Sequence, residues 1–204
     1  GVKALDDICF KAYGGEVLAF LGENGAGKST LLKVLNGDYK PDAGEYLLNG
    51  EQKHFHSPQE AIEEGISVIY QERQILLELS VAENIYLGRM PANKFGVINT
   101  GKANQMAKKI IEDFGLPIAP TTKVKDLSIA YQQMVEIMKA YSRENLKVVC
   151  FDEPTASLSD SEIDSLFAII EKLKAQGKII IYVSHRMSEI RRITDKVAIF
   201  KDGH

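Results

Sequence analysis

Apolar residues in this chain come in short, dense runs separated by polar and glycine-containing stretches. The runs at Val17 to Leu21, Ile66 to Tyr70, Val148 to Phe151, Ile179 to Val183 and Val197 to Phe200 read as strands buried on both faces. Several are followed at once by helical periodicity, the alternation that predicts a mainly parallel sheet with flanking helices. Helix starts are predicted at the Ser-x-x-Glu pairs Ser57/Glu60, Ser80/Glu83 and Ser159/Glu162, where serine oxygen and glutamate satisfy unpaired donors of a first turn, and Pro58 fits the first helical position. Between about Glu72 and Asn145 strand signals give way to helical ones, so the pattern predicts an α/β core over about 1–71 and 146–204 with a helical subdomain over about 72–145. Its last helix sets Met134, Ile137, Met138 and Tyr141 on one face, a stripe read as core packing. Glycine-bearing turns at Gly14 to Gly15 and Asp42 to Gly44 predict a small antiparallel β element beside the main sheet. The segment Gly1 to Phe10 reads as a strand entering a hairpin.

Composition narrows the class without naming the chemistry. With 204 residues, 45% hydrophobic and 26% charged, the chain suits one globular domain with a sizeable core, and a net charge of −3 gives no electrostatic reason to expect nucleic acid. Cys9 and Cys150 both fall in apolar segments, without the spacing of a metal site or disulfide framework, and are expected to be reduced core thiols in a cytoplasmic protein. No apolar run approaches the roughly 18 residues of a spanning helix, so membrane attachment is expected through a partner. Both ends read as cut from a longer chain, since a strand begins at once and a turn, Lys201 to His204, ends it.

The sharpest local signal follows the first strand. Gly22, Glu23, Asn24, Gly25, Ala26, Gly27, Lys28, Ser29 and Thr30 spell the complete G-x-x-x-x-G-K-[ST] loop, and Leu31, Leu32, Val34 and Leu35 continue it as an apolar helix face. Glycines let the backbone fold round a phosphate so that successive N–H groups point at the anion; Lys28 then neutralises the β- and γ-phosphates and Ser29 coordinates Mg²⁺. Background residue frequencies make a chance match in a chain this long an event on the order of 1%, before the strand-loop-helix setting is counted. The strand Val148 to Phe151 runs into Asp152 and Glu153, two carboxylates at a strand's carboxyl end, where open α/β sheets bind ligands. Asp152 is assigned to Mg²⁺ and Glu153, one residue on, to the attacking water. The expected fold is thus a P-loop NTPase core, and the expected ligands are ATP and Mg²⁺.

The remaining motifs resemble the ATP-binding cassette family in their order along the chain. Gln71 is similar to the family's Q-loop glutamine, which contacts Mg²⁺; Leu127 to Gln133 occupies the place of the signature motif; Glu153 to Leu158 resembles the stretch into the D-loop; and Ser184, His185 and Arg186 resemble the H-loop, whose histidine contacts the γ-phosphate. Gly1 to Leu5, Gly22 to Thr30, Leu127 to Glu136 and Tyr182 to Glu189 look like the N-terminal ATPase half of bacterial monosaccharide importers of the ribose, galactose, arabinose and xylose kind. The resemblance implies catalytic roles for Glu153, His185 and Gln71, and metal contacts from Ser29, Gln71 and Asp152. As partners it implies a second ATPase half, a membrane permease and an extracytoplasmic sugar-binding protein. The expected location is the cytoplasmic face of the inner membrane, peripheral through the permease.

Two departures shape the expectation. The family's adenine-stacking aromatic would lie upstream of Gly1, and Ile129, Ala130 and Tyr131 stand where its common signature has two glycines and a glutamine. A soluble cassette ATPase of translation or DNA repair shares these motifs, but the chain has no basic stripe to meet nucleic acid. A P-loop kinase would not need the ordered set Gln71, Ser128, Glu153 and His185, and a nucleotide sensor would be expected to lose Glu153. His54, His56 and His204 carry no motif context and are expected to be solvated.

Overall fold

The computed structural model describes residues 3–204. Five parallel strands form the main sheet: β1 (Val17–Gly22), β4 (Ile66–Ile69), β5 (Val148–Asp152), β6 (Ile179–Val183) and β7 (Lys196–Phe200), in the spatial order β4-β5-β6-β1-β7. All five residues of β5 are buried, as are Val17 to Phe20 of β1. Parallel strands covered on both faces need such continuous apolar runs, which is why these strands were legible in the sequence. A separate two-stranded pair, β2 (Leu47–Leu48) with β3 (Glu51–Gln52), is antiparallel. Asn49 and Gly50 link it at φ 54° and 80°, the left-handed pair that a two-residue hairpin requires.

Helices follow the strands: α1 (Lys28–Leu35), α2 (Pro58–Glu63), α3 (Val81–Ile85), α4 (Thr100–Asp113), α5 (Ile129–Tyr141), α6 (Asp160–Ala175) and α7 (Met187–Ile193). None of the described helices is long and apolar enough to cross a membrane. The chain groups into two compact units. One comprises the residues up to Gln71 with Asn145–Pro154 and Ile170–His204; the other comprises Glu72–Glu144 with Thr155–Ile169, the first part of α6 included.

In the first unit, Leu18, Phe20, Leu32, Phe55, Ile66, Cys150, Ile181 and Val183 build the core, and Phe10 meets Phe20 edge-on at 5.1 Å. The N-terminal segment departs from expectation. Gly1 and Val2 lie outside the described residues, and residues 3–16 form no strand. Leu5, Ile8 and Phe10 reach the core as side chains, while Asp7 at φ 52° turns the backbone out of any ladder. Cys150 is a buried thiol, but Cys9 is exposed, because it faces away on the same segment that buries Ile8 and Phe10. His54, His56 and His204 are exposed.

The three serine starts do not share one geometry. Ser80 and Glu83 form the reciprocal box. At α2, Ser57 accepts from Glu60 N–H, but the Glu60 carboxylate takes the N–H of His56 rather than that of Ser57. At α6, Ser159 donates both its N–H and its hydroxyl to Glu162.

In the second unit, α3, α4 and α5 enclose Val81, Ile85, Ala103, Ala107, Ile111, Val124, Val135 and Met138. Met134, Ile137 and Met138 are buried, so the methionine stripe is core. Beside it lies a buried carboxyl group: Glu136 is 6% exposed, accepts from the N–H of Gln74 through Oε1, and leaves Oε2 without a hydrogen-bond partner. Burial pushes its carboxyl from 4.5 up to about 7, against the pull of that N–H and of Lys139 and Arg73.

A raised carboxyl keeps its proton in the folded state while the unfolded chain releases it. Its stabilising contribution is therefore present below about pH 4.5 and is lost as pH rises to about 7. Glu136→Gln is expected to raise stability at about pH 8 by about 1–3 kcal/mol and to flatten the pH dependence between those two values. Urea melts across pH check this, and an unchanged slope would remove Glu136 from the account.

Candidate functional site

The loop between β1 and α1 is held by close approach as much as by conformational freedom. A Cβ on Gly22 would collide with the carbonyl oxygen of Phe200 in the neighbouring β7. At Gly27 (φ 101°) a Cβ would meet Ala4 O at 2.7 Å, so this position demands glycine twice over. Gly27 is the N-cap of α1 and supplies no side-chain cap, and no acidic residue stands in the first turn. The N–H groups of Lys28, Ser29 and Thr30 therefore face outward without helical acceptors, at the positive end of the helix dipole. Glu23, Asn24 and Gly25 are exposed, Ala26 is buried, Ser29 is exposed and Thr30 half-buried. The result is a backbone cradle for an anion.

Lys28 is 5% exposed, and its ammonium donates to Gly22 O at 2.7 Å and Glu23 O at 2.8 Å. This folds the positive charge over the cradle. Asp152, the last residue of β5, is 9% exposed. Burial pushes its carboxyl above the usual aspartate range, while the Ser29 hydroxyl bonded to it pulls the other way. A buried carboxylate beside a hydroxyl, both oxygen ligands, suits a hard divalent cation. Among the described residues no three His, Cys, Asp or Glu side chains cluster for a metal. Mg²⁺ takes one or two carboxylates and completes its shell with water and phosphate oxygens, so it does not require such a cluster.

Glu153 has the backbone of a strained site. Its φ is 47°, outside the region ordinary residues prefer, and its N–H is tied to Val183 O of β6 at 3.0 Å. Its Oε1 lies 3.1 Å from Nδ1 of His185, which follows β6. Their meeting depends on sheet order, because β5 and β6 are neighbours with Asp152 opposite Val183. Lys28, Ser29, Asp152, Glu153 and His185 thus converge at the carboxyl ends of β1, β5 and β6. Gln71 follows β4 at the sheet edge, is exposed, and makes no hydrogen bond to this cluster among the described residues.

Ser128 belongs to the second unit, where it is the N-cap of α5; its Oγ accepts from Tyr131 N–H at 3.4 Å and is also bonded to Glu162. Motif reading quoted Tyr182 to Glu189 only as a stretch of resemblance and Ser184 as part of the H-loop, and gave no role to the buried Glu189 that joins Tyr182 and Ser184. The only cue was a glutamate shortly after His185 on the α7 face that carries Ile190 and Ile193.

The ABC transporter family model matches residues 5–156. The chain belongs to the ABC transporter family. It is 50% identical over 203 residues to the arabinose import ATP-binding protein AraG of Escherichia coli O6:K15:H31 (strain 536 / UPEC), covering all of this chain and 40% of that protein. Identity to AraG of Pectobacterium atrosepticum is the same over the same coverage. The chain therefore spans about two-fifths of the length of the curated relatives it matches. Among solved structures, the ADP conformation of MJ1267, an ATP-binding cassette of an ABC transporter, overlays with a TM-score of 0.82 at 27% identity, covering 98% of this chain and 82% of that one. The fold is that of an ABC ATPase cassette, a P-loop NTPase sheet with its small antiparallel pair.

Proposed function

We propose that this chain binds MgATP on the loop Gly22 to Thr30, hydrolyses it at Glu153, and serves as one ATPase half of a bacterial sugar importer. The observation that carries the reading is the convergence of Lys28, Ser29, Asp152, Glu153 and His185 on one edge of the sheet. Lys28 and the N–H groups of α1 hold the β- and γ-phosphates. Glu153 orients the attacking water and takes its proton, and His185 steadies the γ-phosphate and the carboxylate beside it. Ser29, Asp152 and Gln71 would hold Mg²⁺, which when bound neutralises charge building on the phosphate oxygens. The helical stretch 72–145 is the inserted subdomain of this motor.

The names of the relatives, arabinose import ATP-binding proteins, support sugar import, and their greater length leaves room for a second ATPase half. A membrane permease and an extracytoplasmic sugar-binding protein complete the assembly, on the cytoplasmic face of the inner membrane and without nucleic acid. Reconstituting the full-length ATPase with its permease and binding protein in vesicles tests this: uptake of labelled arabinose should require ATP. ATP hydrolysis that proceeds without any sugar uptake would sink the transport reading.

Each ATP is expected to sit between one half's P-loop and the other half's signature. Ile129, Ala130 and Tyr131 weaken the site that relies on Ser128, so the site on Lys28, Asp152 and Glu153 is expected to do most of the work. Ser128→Ala should therefore lower steady-state hydrolysis by less than about threefold. A near-complete loss would contradict the asymmetry.

A further inference from the structure

His185 sits in the short connection between β6 and α7, where the backbone passes from extended to helical in three residues. Glu189, in the first turn of α7, is 4% exposed and turns its carboxylate back into that connection. Tyr182 Oη and Ser184 Oγ both donate to its Oε2, each at 2.9 Å. The backbone N–H of Arg186 donates to the same Ser184 hydroxyl at 3.0 Å, and Arg186 Nη1 reaches Glu189 Oε1 at 3.3 Å. The residues on either side of His185 are thus tied to one buried carboxylate. His185 itself points outward, its side chain 56% exposed, with Nδ1 on Glu153.

A glutamate at this helix end could favour the dipole equally well from the surface. Burial costs free energy that only a well-satisfied set of donors offsets. A tyrosine hydroxyl from inside the sheet and a serine whose oxygen serves two partners supply that set, and together they tie the turn to α7 on both sides of His185.

We propose that Glu189 is a positioning residue that fixes the imidazole of His185 against Glu153, acting through Ser184 and Arg186 without touching substrate. The proposal rests on the roles given to Glu153 and His185 above. Its strength comes from leverage: apart from its contact with Glu153, the imidazole is as well placed as the turn that carries it, and a displacement of about 1 Å at a reacting centre costs on the order of 100-fold in rate.

In the full-length protein, Glu189→Ala is expected to lower kcat for ATP hydrolysis by about ten- to a hundredfold. The KM for ATP should change by less than about threefold, because the phosphate loop is untouched. Glu189→Gln, whose amide oxygen still accepts from Tyr182 and Ser184, is expected to recover kcat to within about threefold of wild type.

Two further arms separate positioning from general damage. In a His185→Ala background, Glu189→Ala should cause no additional loss, since its effect runs through the imidazole. Losses that multiply in the double variant, or wild-type kcat in Glu189→Ala, would overturn the proposal. Should Glu189→Ala fail to fold, Ser184→Ala cuts the same link, together with the bond from Arg186 N–H, while leaving the bonds from Tyr182 and the Arg186 guanidinium to Glu189, and the same comparison with His185→Ala applies. Should His185→Ala hydrolyse ATP at the wild-type rate, it is the reading of the site that falls. The placement of the ring is then decided by NMR of 13C-labelled histidine: a His185 Cε1–Hε1 signal displaced in Ser184→Ala supports Glu189 as its anchor, and an unmoved one refutes it.

Discussion

Glu153→Gln is expected to leave ATP binding within about threefold of wild type while lowering turnover by about 10²- to 10⁴-fold, the range general-base catalysis supplies. The amide matches the carboxylate in size and can still meet Nδ1 of His185, now 3.1 Å from Oε1. The backbone at φ 47° is set by the bond from its N–H to Val183 O, which the substitution does not touch. What disappears is the capacity to accept a proton from water. The loss should therefore fall on kcat in single-turnover as well as steady-state assays of the full-length protein. Hydrolysis at the wild-type rate would show that another group takes the proton.

Lys28→Ala is expected to weaken ATP binding by at least about 100-fold. Hydrogen bonds to charged groups are worth about 1.5–3 kcal/mol each, and the ammonium is placed to make such bonds to two phosphates. It starts 5% exposed, with two of its three donors on Gly22 O and Glu23 O, so moving onto a phosphate exchanges neutral acceptors for charged ones with little new desolvation cost. The variant also strips those carbonyls of their donor, and the melting temperature without nucleotide reports that separate effect. Titration calorimetry measures the affinity, and an unchanged Kd would end the assignment of the loop. In both experiments the cradle of N–H groups at α1 remains, which is why some residual binding is expected of Lys28→Ala.

The parts of the site that could be read from the sequence are those whose chemistry is local. A loop such as Gly22 to Thr30 needs its glycines and lysine at fixed offsets because one stretch of backbone wraps one phosphate, and the structure shows Gly22 and Gly27 excluded from any other residue by Phe200 and Ala4. Asp152 and Glu153 were legible because a strand that ends in acid has a buried side and an open end. Gln71 and His185 were singled out only through the order of motifs shared with a family. The structure brings His185 to Glu153 and leaves Gln71 exposed beyond the edge strand. Glu189, quoted only as the end of the stretch Tyr182 to Glu189, was given no role of its own because a glutamate in a first helical turn is ordinarily a solvated cap, and nothing in its neighbours announces that its carboxylate is buried.

The sequence by itself determined the five strands of the main sheet, the helix that follows the glycine-rich loop, and the methionine core stripe, because continuous burial and helical periodicity are written residue by residue. The tertiary structure decided which strands are neighbours, and hence that the residue after β5 meets the residue after β6. It also decided that Leu5, Ile8 and Phe10 pack as side chains without joining the sheet, that Cys9 is exposed while Cys150 is not, and that Glu136 and Glu189 are buried. The physical reason is the same throughout. Propensity and periodicity are properties of a segment, whereas burial of a charge, the partner of a hydroxyl and the pairing of a strand depend on what distant residues bring to the same place.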